Sequence, residues 1–235
     1  MAFLSEADLE DFLMDELAGL GFAPMTGSQL SPDAATPLRP SYHEAILGPV
    51  LADSLRRINP TLPARALAEA ARKVADAVFA TDLVQENRRL HRLLVDGVKV
   101  TYAEHGEERN AVVRLIDWDD GTNDWRAVRQ MDVVGRSARI PDVVLVLNGM
   151  PLVVIELKGT EGKDIDAAFN QIETYKTEIP ELFRTTLLNV ISDGHVARYG
   201  ALSANLDRFM VWRTVDGETL IPNGSDLALA TLARG

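Results

Sequence analysis

Asp142, Glu156 and Lys158 are the residues whose types and spacing could do chemistry. They fall in residues 139–158, RIPDVVLVLNGMPLVVIELK, where two apolar runs, 143–147 and 152–155, flank Asn148-Gly149-Met150-Pro151. Each run is strand-sized and rich in Val and Ile, and Asn-Gly is a strong turn signal. The spacing therefore predicts a β-hairpin buried on most sides. Side chains alternate along a strand, so Glu156 and Lys158 share a face. A three-residue loop, Asn148 to Met150, sets Leu147 opposite Pro151 and Asp142 opposite Glu156, with Cβ atoms about 5 Å apart. A two-residue loop would set Asp142 opposite Ile155 and separate the acids. The three-residue loop is the register expected, with Gly149 free to take positive φ. Two carboxylates that close repel unless a cation lies between them. Hard oxygen ligands with water suit Mg²⁺ or Mn²⁺. Lys158 could steer a nucleophilic water or meet phosphate charge, which completes a set for metal-assisted phosphodiester hydrolysis. The plainer reading of the hairpin by itself is a strand-end ion pair of Lys158 with either acid, and exposed pairs of that kind contribute little.

These residues need elements to position them. Ser5 and Asp8 read as the start of a capped helix with a stripe of Leu9, Phe12, Leu13, Leu17 and Leu20, ended by Gly19 and Gly21. Glu6 and Glu10 sit one turn apart on it, on spacing a solvated acidic face. Residues 26–41 are rich in Ser, Pro, Thr and Gly and read as a loop or linker. Helices are expected over about 43–57, 64–79 and 81–94, the last carrying Asn87, Arg88, Arg89, His91 and Arg92. That basic run is either an exposed face or a contact for DNA phosphate. Strands are expected at 98–102, 111–117 and 127–134, with Asp119-Asp120-Gly121 as a turn. After the hairpin come a loop at 159–163 and a helix from Asp164 to about Glu178, with Ile165, Ala168, Ile172, Tyr175 and Ile179 as its core stripe. Gln171 and Tyr175 are neighbours on that helix. Strands at 187–191, 195–199 and 209–214 follow, then a polar, loosely apolar tail. A helix between strands argues an α/β fold: a mixed β-sheet flanked by helices, with an N-terminal helical region.

Composition sets outer bounds. A chain of 235 residues with 46% hydrophobic content can bury one large core or two small ones. With no cysteine, disulfides and thiolate metal sites are excluded. No apolar run reaches the length of a membrane span, and the acidic N-terminus lacks a basic signal-peptide region, so a cytoplasmic protein without a membrane partner is expected. A net charge of −11 weighs against a free-standing, non-specific DNA binder. His43, His91, His105 and His195 are scattered without metal-ligand spacing. GTEGKD at 159–164 has the wrong glycine spacing for a phosphate loop, and Asp164 stands where Ser or Thr is needed.

The central stretch resembles the PD-(D/E)XK nuclease signature, here Pro141-Asp142 and Glu156-Leu157-Lys158. More specifically, PDVVLVLNGMPLVVIELK, AFNQIETYK and NVISDGHVARYG resemble the N-terminal nuclease domain of the restriction (motor) subunit of type I restriction–modification enzymes. NRRLHRLLVDGVKV, LIDWDDGTNDWRAVRQ and the opening helix ending in LGF are similar to its earlier segments. The likeness covers most of residues 5–213. It implies a restriction-endonuclease-like core that makes a Mg²⁺-dependent cut in double-stranded DNA, with Mn²⁺ as a substitute metal. By the same analogy Asp142, Glu156 and the Leu157 carbonyl bind the metal, and Glu10 approaches it through water. Lys158 positions the attacking water, and Gln171 and Tyr175 support the site. The departures are Ile140 between Arg139 and Pro141, and Arg129 before Gln130 where Asn is usual. The resemblance implies a nuclease domain at 1–213, helical to about 95 and catalytic from about 96, with 214–235 a tail or a truncated connection to an absent helicase. No Walker motif occurs here, so ATP would serve that motor only, and methylation and specificity subunits are the implied partners. A non-catalytic docking or assembly module and a free-standing defence or repair nuclease are the alternatives.

Overall fold

The computed structural model describes residues 5–79, 81–119, 121–159, 165–194 and 196–213. Residues 160–163 of the loop expected at 159–163, the helix start at Asp164, Asp120, His195 and the tail from Thr214 lie outside them. Ser5 caps α1 (Glu6–Gly19) as its sequence predicts: the Ser5 hydroxyl accepts the Asp8 N–H at 3.2 Å and Asp8 accepts the Ser5 N–H at 2.9 Å. Leu9, Leu13 and Leu17 are buried, but Phe12 and Leu20 face solvent, so the apolar stripe is narrower than expected. The Ser- and Pro-rich stretch is not all loop. Strand β1 (Ala23–Thr26) runs into it, followed by one helical turn, α2 (Gly27–Leu30).

Three helices follow: α3 (Gly48–Ile58), α4 (Ala64–Ala75) and α5 (Leu83–Asp96). The first starts five residues later than its stripe suggests, where Pro49 fits the first turn because its missing N–H has no partner to lose there. Strands β2 (Val98–Glu104) and β3 (Glu107–Val113) form a separate hairpin through His105-Gly106, both at positive φ. The second of these was expected further along, at 111–117. The strand expected at 127–134 is broken into β4 (Trp125–Arg129) and β5 (Val133–Val134) by Gln130, whose φ is +53°. β6 (Ala138–Arg139) pairs with β5. Then come β7 (Val143–Leu147), β8 (Met150–Leu157), α6 (Ile165–Glu178), β9 (Leu188–Ser192), β10 (Ala197–Gly200) and the short β11 (Met210–Val211).

The main sheet has seven strands in the order β1-β4-β7-β8-β9-β10-β11. β1–β4 and β8–β9 are parallel, and the other pairs are antiparallel. One face packs Val128, Val144, Val154 and Ile191 against Ala168 and Ile172 of α6 and Ile179 just after it. The other packs Ala127, Val143, Ile155 and Val190 against Leu9, Leu13 and Leu17 of α1. Burial on both faces explains why these strands read as unbroken apolar runs. The first 95 residues are therefore not a purely helical unit, since β1 lies in the sheet and α1 covers it.

The central hairpin reaches the expected register by an unexpected route. Its turn has two residues, Asn148 (φ +52°) and Gly149 (φ +84°), with Leu147 opposite Met150. Two positive φ angles define the type I′ turn that Asn-Gly favours. The pairing then slips by one: Leu145 faces Val153 and Val143 faces Ile155, leaving Leu152 as an extra residue in β8. This β-bulge follows Pro151, which has no N–H to give to the ladder. The bulge restores the offset that a three-residue loop would have given, and Asp142, one residue before β7, comes opposite Glu156. The turn itself is buried. Asn148 donates to the Leu115 carbonyl at 3.0 Å, and the Gly149 carbonyl accepts the Leu47 N–H at 2.8 Å. Among the described residues no helix is long and apolar enough to cross a membrane.

Candidate active site

Strand parity carries Asp142, Glu156 and Lys158 onto the face of Val144 and Val154, the one covered by α6. Backbone contacts fix all three. The Asp142 carbonyl accepts the Gln130 N–H at 2.8 Å, and its Oδ2 accepts the Leu157 N–H at 2.6 Å. The Lys158 N–H donates to the Ser192 carbonyl at 2.8 Å, extending the parallel β8–β9 pair by one residue. Lys158 Nζ donates to Glu156 Oε1 at 2.6 Å. The plainer strand-end ion pair is thus present, but it is not a surface pair: Glu156 is 1% and Lys158 8% exposed.

Burial dominates the electrostatics. It pushes Glu156 up to about 7, with the Asp142 charge adding to it and Lys158 opposing. It also pushes Asp142 up to about 6, against the Leu157 N–H and Lys158, with Glu10 and Glu6 adding to the rise. Burial by itself would lower Lys158, but the hydrogen bond and charge of Glu156, with Asp142, hold its ammonium above the usual range. Glu156 Oε2 is buried without a hydrogen-bond partner. A buried carboxylate oxygen left unpaired is costly, and a hard divalent cation is the complement it lacks. The donor set therefore fits Mg²⁺. Among the described residues no three His, Cys, Asp or Glu side chains come together as a metal cage. Mg²⁺ usually takes only one or two carboxylates and keeps several waters.

The other expected site residues are brought near to different degrees. Gln171 Nε2 donates to Tyr175 Oη at 2.8 Å, and that hydroxyl reaches the Ile140 carbonyl at 3.4 Å. Tyr175 is buried, and its hydroxyl is held above the usual range first by burial and then by the Glu156 charge. Glu10 is not part of a solvated face. It is 5% exposed, and its Oε2 accepts from Arg129 Nε at 2.6 Å and Gln130 Nε2 at 3.0 Å. Arg129 also pairs with Asp11. Sequence reasoning passed over Arg129 and Gln130 as site residues. Their one sequence-level signal is a polar pair ending an apolar strand, and it does not reveal the left-handed turn.

The basic run on α5 is largely scaffold. Asn87 donates to the carbonyls of Phe183, Arg184 and Thr186, His91 bonds the Thr186 carbonyl, and Arg89 pairs with Glu86. Arg88 and Arg92 stay exposed.

A mixed sheet with helices on both faces, and an acid–acid–lysine set at the joint end of an antiparallel and a parallel strand pair, is an architecture of the restriction-endonuclease-like class. The chain belongs to the family described as type I restriction enzyme R protein N terminus, whose model matches residues 3–208. It is 39% identical over 218 residues to the type I restriction enzyme HindI endonuclease subunit of Haemophilus influenzae, covering 91% of this chain and 21% of that relative. It is 28% identical over 214 residues to the type I restriction enzyme EcoprrI endonuclease subunit of Escherichia coli, covering 88% of this chain and 62% of that relative. The corresponding subunit SauMSSORF170P of Staphylococcus aureus is 28% identical over 204 residues, 85% of this chain and 20% of its own. The chain thus spans about a fifth of the length of the first of these relatives.

Proposed function

We propose that this chain is the DNA-cutting part of a type I restriction endonuclease subunit. It would be a Mg²⁺-dependent endonuclease for double-stranded DNA, acting in the cytoplasm with methylation and specificity subunits. Cleavage would follow ATP-driven translocation by motor segments outside this chain. The observation that carries the reading is the convergence of Asp142, Glu156 and Lys158 in one buried cluster, with Glu156 Oε2 unpaired. Family membership and the names of the relatives support it.

Asp142, Glu156 and the Leu157 carbonyl would hold the ion, with Glu10 reaching it through water. When bound, the ion supplies charge stabilisation at the phosphate and a more acidic water. The Leu157 N–H holds Asp142 in place, so one residue would serve as donor to the carboxylate and, through its carbonyl, as ligand. Lys158, kept charged by its two acidic neighbours, orients the attacking water and meets the charge that builds on the phosphate. Tyr175, held by Gln171, closes the α6 side of the cluster and keeps bulk water from Glu156.

The test is plasmid cleavage by the parent complex with ATP, Mg²⁺ and an unmodified site. Asp142→Ala and Lys158→Ala should each lose at least about a hundredfold in cutting while translocation continues. A variant that translocates and still cuts at the wild-type rate defeats the assignment. The net charge of −11 favours a second reading, a docking or assembly module without catalysis. Mn²⁺ titration separates the two, because a docking module has no need of binding that depends on Asp142 and Glu156.

A further inference from the structure

Gln130 occupies a backbone conformation that a glycine would adopt without strain. Its φ of +53° is left-handed, a region non-glycine residues enter at an energetic cost and keep only when the surroundings hold them there. Three contacts do so. Its N–H donates to the Asp142 carbonyl at 2.8 Å, and its side-chain Nε2 donates to Glu10 Oε2 at 3.0 Å. Its carbonyl packs against Gly27, where an added Cβ would lie 2.0 Å from the oxygen. The backbone contacts would survive a change to glycine, and only the bond to Glu10 needs the glutamine side chain. That bond ties an acid on α1 to the residue whose main chain fixes Asp142, across elements far apart in sequence.

We propose that Gln130 is a positioning residue for the acidic cluster: it couples Glu10 to Asp142, so that the α1 acid and the hairpin acids form one rigid unit toward a divalent ion. This rests on the reading of Asp142 as a metal ligand. Arg129 also holds Glu10 Oε2, at 2.6 Å, and pairs with the exposed Asp11, but the main-chain bond to Asp142 is made by Gln130. Gln130 reaches inward, with main chain to Asp142 and side chain to Glu10.

The experiment measures Mn²⁺ affinity by electron paramagnetic resonance on the full chain, for wild type, Gln130→Gly, Glu10→Gln, the double variant and Asp142→Ala. Thermal melting accompanies each. Gln130→Gly relieves the strained turn, so its melting temperature should hold or rise, which a purely structural glutamine would not permit. Its Mn²⁺ affinity should fall about tenfold, the scale of losing a group that orients a ligand. In the double variant the two losses should not add, since both remove the same link. Wild-type affinity in Gln130→Gly, or strictly additive losses, overturns the proposal. Wild-type affinity in Asp142→Ala would instead remove the reading beneath it. Loss in Asp142→Ala with full affinity in Gln130→Gly sinks the positioning role by itself.

Discussion

Burial first pushes Asp142 up to about 6 and Glu156 up to about 7, with the charges of Glu10 and Glu6 adding at Asp142 and that of Asp142 adding at Glu156. Their folded pKa values lie above the unfolded ones, 3.8 and 4.5, so the folded state binds more protons in between. Stability therefore falls as pH rises through that window, the reverse of the usual carboxylate. On the proposed reading of the site, metal binding needs both groups deprotonated, so Mn²⁺ affinity should climb through pH 6–7 with protons released. Asp142→Asn keeps an oxygen for the Leu157 N–H but carries no charge. It should raise the melting temperature of the metal-free chain at about pH 8, and far less at about pH 4, while abolishing tight Mn²⁺ binding. Scanning calorimetry at both pH values checks this, and a lower midpoint at the alkaline end would count against the repulsion.

At the scale of elements, the hairpin turn is under the tightest constraint. An added Cβ at Gly149 would sit 2.6 Å from both the Leu47 carbonyl oxygen and the Leu51 nitrogen at the start of α3, at a φ of +84°. Gly149→Ala should cost more than about 1 kcal/mol, read as a shift of the denaturant midpoint. Much of this level was legible in the sequence. Ser5 and Asp8 announced α1, the Val-rich runs announced β7 and β8, and parity placed Glu156 with Lys158. The opposition of Asp142 and Glu156 was read correctly from the wrong loop, because Asn-Gly takes a two-residue turn and the bulge at Leu152 then makes up the offset. Propensity does not show a bulge, which depends on how Pro151 and Leu152 meet neighbouring strands. Nor does it show β1, which is a strand only because β4 lies beside it, or the buried Glu10, whose fate depends on Arg129 and Gln130, over 100 residues away.

At the scale of the whole molecule, a buried ionic knot ties the helical region to the sheet. Arg184, just before β9, donates to Glu86 of α5 at 3.0 Å and to the carbonyls of Val74 and Ala75 that end α4. Glu86 also accepts from Arg89 at 2.6 Å and from the N–H groups of Val78 and Phe79. Burial would raise its pKa, but the hydrogen bonds from Arg89, the Phe79 N–H and Arg184 outweigh it and pull the group from 4.5 to about 2. Its folded pKa is depressed, so its stabilisation is complete above about 4.5 and lost as pH falls toward 2. Glu86→Gln removes the buried counter-charge of Arg184 and leaves it the partly exposed Glu181 at 3.2 Å, so it should cost about 3 kcal/mol at neutral pH. It should also flatten the acid limb of the stability profile, as circular dichroism melts between those pH values would show.

The bulge in β8 has a consequence for how this lineage can vary. Chain length between the two acids is constrained as strictly as the acids themselves, since one inserted or deleted residue would turn Glu156 to the opposite face of the sheet. Descendants can exchange the short turn and its compensating bulge for a longer turn without one, but only as a paired event. Indels in that segment should therefore come in cancelling combinations.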